Sequence, residues 1–159
     1  MKRIYLLGAM MMVMLSVLTL TACGSDSDGD GGGGSFFGDN NEIVGEWATQ
    51  QTDGDSYMFL ERVSLKSNGS FTITDYEVAM MSGTIVDMEK AEYSGNYTAK
   101  DGKLTLSANG QQVSYSYTVK GSTLTLMGGD GAVSYDKMDD SIRDVFNKAE
   151  STYQQRFKN

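Results

Sequence analysis

From residue 42 onward, apolar and polar positions alternate with a period of two, in short runs broken by turn signals. The runs at 44–51, 56–66, 70–81, 92–99, 103–108, 111–119, 123–127 and 132–138 predict eight strands. Val63 and Leu65, Phe71 and Ile73, Tyr93 and Tyr97, Leu104 and Leu106, Val113, Tyr115, Tyr117 and Val119, Leu124 and Leu126, and Val133 and Tyr135 fall on one face, and the other face reads as Ser, Thr, Lys, Asn and Gln. Asn68-Gly69, Asp101-Gly102 and Asn109-Gly110 supply residues that tolerate the positive φ of type I′ hairpin turns. Gly121-Ser122 and the glycines at 128, 129 and 131 mark later corners. The segment 82–91 reads either as a strand extension or as a longer loop. A sheet polar on one side must bury the other. Eight strands joined by short hairpins do this by closing on themselves, which also removes exposed edges. The expected fold is therefore all-β, an eight-stranded antiparallel up-and-down barrel. A two-sheet sandwich is the rival, but it needs longer crossovers than these loops provide.

After Met138 the period changes to that of a helix, with Ile142, Val145, Phe146, Ala149, Tyr153 and Phe157 forming one apolar stripe. Ser141 with Asp144 suggests a capping-box start, and Arg156 and Lys158 suit the dipole at the far end. One C-terminal α-helix over about 140–157 follows, its apolar stripe against the outside of the barrel and its polar face in solvent. Barrel and helix make one domain, 42–159.

The N-terminal region is of a different kind. Lys2-Arg3 precedes an apolar stretch from Ile4 to Leu20, and Leu20-Thr21-Ala22-Cys23 closes it with small residues before the chain's one cysteine. This has the layout of a secretory signal over 1–22; an uncleaved anchor helix, for which the run is short, is the alternative. Leu20-Thr21-Ala22-Cys23 resembles the lipobox of bacterial lipoproteins. That resemblance implies that Cys23 is acylated as the first mature residue, and acyl chains at about 0.8 kcal/mol per buried methylene anchor a protein stably when several are present. Cys23 and the Gly/Ser/Asp/Asn-rich stretch that follows, 23–41, are too poor in apolar residues to fold and read as a tether, about 25 Å long on average as a Gly-rich coil. Asp26-Ser27-Asp28-Gly29-Asp30-Gly31 matches the first half of a calcium-binding EF-hand loop, but Phe37 stands where the bidentate glutamate is required. The acidic Ser/Asp run after Cys23 instead resembles the surface-export signal of Bacteroidetes-type lipoproteins. It implies an outer-membrane protein, lipid-anchored and facing the cell surface, with a periplasm-facing orientation as the alternative. Phe36 and Phe37 read as a cap on the following domain.

Charge and composition narrow the function further. Loss of Lys2 and Arg3 with the signal leaves 11 basic against 21 acidic residues, a formal charge of −10, which argues against nucleic acid as a partner. With Cys23 lipidated no thiol remains for a disulfide, so stability must come from packing. The chain has no histidine, which removes the usual general base and the commonest zinc ligand. Asp, Glu and Tyr remain for acid–base work, but no pair stands at a spacing that compels it. No enzyme, metal or cofactor is expected. Asp136, Asp139 and Asp140 cluster between the last strand and the helix, where solvation and capping explain them better than a metal.

Gly45-Glu46-Trp47 at the head of the first strand, the Asn68-Gly69-Ser70-Phe71 turn, Tyr93-Ser94-Gly95-Asn96-Tyr97 and Lys103-Leu104-Thr105-Leu106 resemble the lipocalin-like domain of envelope lipoproteins across nearly all of 43–138. The resemblance implies that Trp47 plugs the closed end of the barrel. The loop of the Thr-Asp-x-x-Tyr type that lipocalins carry before the seventh strand is replaced here by Lys120-Gly121-Ser122, and the last strand has no arginine to cover Trp47, leaving Arg143 as the nearest candidate.

Tyr93, Tyr97, Tyr115, Tyr117 and Tyr135 should point inward with Trp47, giving an aromatic interior that carries hydroxyls. They are the candidate ligand-binding residues for a small lipophilic ligand; ordinary core packing is the competing role. Met58, Met80, Met81, Met88 and Met127 read either as an adaptable mouth or as gap-filling core. Two functions follow. The barrel holds a small apolar or amphipathic molecule, or it is filled and engages an envelope or surface protein as an interaction or inhibitor module.

Overall fold

The computed structural model describes residues 42–129 and 131–158. The expected signal, Cys23, the expected tether with its partial calcium motif and the Phe36–Phe37 pair lie outside the described residues, as do Asp130 and Asn159. The strands are β1 (Gly45–Asp53), β2 (Tyr57–Leu65), β3 (Ser70–Met81), β4 (Thr84–Lys100), β5 (Lys103–Ala108), β6 (Gln111–Lys120), β7 (Thr123–Gly128) and β8 (Gly131–Lys137), followed by helix α1 (Asp140–Arg156). They form a closed barrel in which each strand pairs with its neighbour in sequence and β8 returns to β1. This is the eight-stranded antiparallel barrel with one C-terminal helix that the alternation demands.

The ladders are unequal. β1 and β2 pair along their whole length, from Gly45 opposite Leu65 to Asp53 opposite Tyr57. The closing β1–β8 seam has only two residue pairs, Trp47 with Lys137 and Ala48 with Asp136. Strands β3 and β4 run on together to Met81 opposite Thr84, with a bulge between Ala79 and Met80. The segment 82–91 is therefore a hairpin extension, turned by Ser82 and Gly83 at φ 50° and 74°. Asp101-Gly102 and Asn109-Gly110 both hold the paired positive φ of tight hairpins. Asn68-Gly69 does not, because only Gly69 is left-handed there. The Gly69 amide donates to the Lys66 carbonyl and the Lys66 amide to Ser70, so this is a wider turn, fastened by the Asn68 side chain accepting from the Ser70 amide at 3.0 Å.

The inner face packs one cluster of Ile43, Trp47, Val63, Leu65, Phe71, Ile73, Tyr97, Leu104, Leu106, Tyr115, Tyr117, Leu124, Leu126 and Tyr135. The outer face of β1–β4 packs a second cluster, in which Ala48, Leu60, Tyr76, Val78 and Met88 meet Phe146 and Ala149 of α1. Burying a side chain such as Phe146 is worth about 1.5–3 kcal/mol, and polar ties fix where the helix lies. Tyr76 donates to Glu150, Lys90 Nζ pairs with Glu150 at 2.9 Å, and Arg143 pairs with Glu46 at 2.7 Å. The N-cap is Asp139, whose carboxylate accepts from the Ile142 amide at 2.8 Å. Ser141 thus lies inside the first turn and does not cap it. Met58, Met80 and Met88 belong to the outer cluster under the helix, away from any mouth, while Met81 and Met127 are exposed.

Candidate functional site

One end of the barrel is plugged. Trp47 donates from Nε1 to the Ile43 carbonyl at 2.8 Å, so the chain entering the domain lies against the indole. The Tyr97 hydroxyl donates to the Lys66 carbonyl in the β2–β3 turn at 2.9 Å. Tyr117 lies toward the same end, its phenol pushed up by burial and then by Glu42 and Asp101. Lys137 on β8 stands over the indole at 5.9 Å. It fills the covering place for which Arg143 is the sequence candidate, while Arg143 is engaged with Glu46.

The middle of the barrel is different. Glu61 on β2 and Asp75 on β3 sit directly opposite each other, at positions that share the inward parity of Val63, Leu65, Phe71 and Ile73. Glu61 is fully buried. Tyr135 donates to its Oε1 at 2.5 Å, reaching from β8 across the seam. Burial pushes the Asp75 carboxyl up to about 6, partly offset by its hydrogen bond with Glu61. Its Oδ1 is enclosed without a hydrogen-bond partner. Tyr135 is pushed well above the ordinary phenol range by burial and then by Glu61, and Tyr93 is raised by burial and then by Asp75 and Glu61.

One layer further from the plug, Glu77 on β3 and Glu89 on β4 again face each other as like charges, an arrangement that is locally unfavourable. At inward-parity positions of β1–β4 below the bulge, neither Lys nor Arg occurs. Thr49, Gln51, Phe59, Asp75, Ala91 and Tyr93, all of that parity, remain partly exposed. Solvent therefore reaches the inner face from the end opposite Trp47, where β4 lacks β5 as a partner until Asn96.

The six aromatic candidates divide accordingly. Trp47, Tyr97 and Tyr117 build the plug, whereas Tyr93, Tyr115 and Tyr135 surround the carboxyl pair or adjoin it. Glu61 and Asp75 were not candidates from the sequence. The signal that finds them is their place in the alternation, one step of two residues from Val63 and from Ile73. Chemically, the site offers two facing carboxyls and aromatic hydroxyls beside the apolar inner cluster. Among the described residues no group of three or more acids, histidines or cysteines is arranged to hold a metal. No family model, curated protein or solved structure matches the chain.

Proposed function

We propose that this protein is an envelope lipoprotein, anchored through a lipid on Cys23 and displayed at the cell surface, whose lipocalin-like barrel binds a small amphipathic molecule at its open end. The observation that carries the reading is the contrast between the two ends: a sealed apolar base at Trp47, and an inner face at Asp75 and Tyr93 that solvent reaches. An apolar wall with a few convergent polar groups suits such a ligand, its polar end donating to the carboxyls and its body resting on Tyr93, Tyr115 and Tyr135. Binding, rather than catalysis, is the proposed activity.

The test uses the full chain in a non-ionic detergent, screened by thermal unfolding against lipophilic small molecules. A ligand that binds only the folded state raises its stability by about 2.7 kcal/mol at a hundredfold excess over Kd. The expected result is a saturable rise in the midpoint that Tyr93→Ala weakens. A chain that responds to none of them favours the second reading, a filled barrel that engages another protein. Exposed apolar side chains at the hairpin tips of the open end support that alternative: Tyr57, Met81 and Val86 are 45%, 68% and 49% exposed.

A further inference from the structure

The longest strand of the barrel has one side open over most of its length. β4 pairs with β3 over 84–96, but its ladder with β5 begins only at Asn96, opposite Ser107. The Tyr97 amide donates to the Gly69 carbonyl, on the β3 side. Hydrogen-bonding direction alternates along an antiparallel strand, so Tyr93, Ala91 and Glu89 also bond toward β3. Ser94, Glu92, Lys90 and Met88 turn their backbone groups to the open edge.

The two ends of that edge are closed. At one end Asp87 accepts from the Met88 amide at 2.9 Å, and Arg156 of α1 donates to the Ile85 carbonyl at 3.3 Å. Val86, left out of the β3–β4 register between Ile85 and Asp87, is the bulged residue, and a bulge bends its strand. At the other end β5 takes over. The stretch 89–93 between them has no strand beside it among the described residues.

An open edge is a template for another strand, and charged side chains are the usual protection against such pairing. Here the charges alternate in sign. Lys90 and Glu92 share the outer face with Nζ and Oε2 3.8 Å apart, and the Glu92 side chain is 57% exposed. A second β4 laid antiparallel, with Ala91 opposite Ala91, sets Lys90 against Glu92 of the second copy and Glu92 against its Lys90. Both pairs stand at hydrogen-bonded positions of the new ladder. On the inner face the same register gives Glu89, which already faces Glu77 as a like charge, a phenol donor in Tyr93 of the second copy. A slip of the pairing by two residues in either direction sets Lys90 against Lys90 or Glu92 against Glu92, and like charges directly opposite are destabilising. The edge thus repels copies of itself in the neighbouring registers and matches in one.

We propose that β4 is a self-pairing edge: two copies of this chain join antiparallel along 89–93, about a two-fold axis at Ala91. Such a contact presents the same patch on both copies and closes on itself, so assembly stops at the dimer. The strands meet edge to edge and bury little surface, which makes the dimer weak and reversible.

The test is disulfide trapping of the full chain, dilute in non-ionic detergent, with Cys23→Ser removing the native thiol. Facing residues at the non-hydrogen-bonded positions of an antiparallel ladder have Cα atoms about 4.5 Å apart, within the reach of a disulfide. Ala91→Cys should therefore link to itself on mild oxidation and double the mass of the chain on a non-reducing gel. Glu89→Cys and Tyr93→Cys should each stay single when alone and link when mixed. Thr118→Cys, exposed on β6, measures random collision and should stay single. In the Ala91→Cys chain, Glu92→Lys should abolish linking by setting Lys90 against a lysine. Asp55→Lys, the same change of charge at an exposed position of the β1–β2 turn, should leave linking intact. Ala91→Cys that links no faster than Thr118→Cys would overturn the proposal, and this is the outcome if residues before Glu42, and not a second copy, cover the edge. Self-linking of Glu89→Cys or Tyr93→Cys as fast as their mixture would overturn the register, and full linking in the presence of Glu92→Lys would overturn the charge match on which it rests.

Discussion

Gly95 lies where β4 exchanges one partner for the other: Phe71 of β3 is its pair, and the β5 ladder begins at the next residue, with Asn96 opposite Ser107. A Cβ built on Gly95 would stand 2.1 Å from the Ser107 carbonyl oxygen, 2.9 Å from Phe71 Cε1 and 3.1 Å from Ala108 Cβ. The nearest obstacle is backbone, so no rotamer change relieves it. Gly95→Ala must push β5 outward, weakening the ladder at its first rung, and must also displace the Phe71 ring. Overpacking costs about 1–3 kcal/mol and a weakened ladder hydrogen bond about 1 kcal/mol, while the stiffer unfolded chain returns about 0.4–1 kcal/mol. A net loss of roughly 2–3 kcal/mol is expected. Urea unfolding measured by Trp47 fluorescence reads it, with Gly129→Ala, which meets nothing within 4 Å, as the unaffected control. Trimming the ring in a Gly95→Ala, Phe71→Leu double variant should restore little, since the Ser107 oxygen stays in place. A Gly95→Ala chain within about 0.5 kcal/mol of the parent, the range of an ordinary surface change, would refute the close approach.

Two further expectations concern the anchor. Cys23→Ala should leave the chain without lipid and release much of it from the membrane fraction or stall its processing; unchanged labelling by a radioactive fatty acid would count against the lipobox. Protease added to intact cells should remove the domain, and neutralising Asp26, Asp28 and Asp30 should protect it. Loss of the protein only after lysis would place it facing the periplasm.

The barrel and its helix are legible in the sequence because inward apolar residues repeat at every second position, and because the switch to helical spacing after Met138 is abrupt. The β3–β4 extension is not, since its turn is Ser82-Gly83 rather than an Asn-Gly or Asp-Gly pair and the residues around it, from Met81 to Val86, are largely exposed. Among the aromatic candidates, alternation gives the face but not the height along the axis. Only the register separates Trp47, Tyr97 and Tyr117 at the plug from Tyr93, Tyr115 and Tyr135 near the carboxyls. Glu61 and Asp75 escape for a different reason: a charged residue at inward parity reads as an interruption of the pattern. Their meaning depends on a cross-strand contact between each other and a third with Tyr135, 74 residues away from Glu61. The cap at Asp139 and the covering role of Lys137 likewise depend on where β8 ends, which periodicity leaves open by a residue or two.

The contact between Trp47 Nε1 and the Ile43 carbonyl also sets a direction. The chain enters the domain across the plugged end, so the point at which residue 42 joins whatever precedes it lies away from the open one. If Cys23 carries the proposed lipid, the domain is held from its base, and the rim bearing Glu77, Glu89 and the hairpin tips is the part that this attachment leaves free.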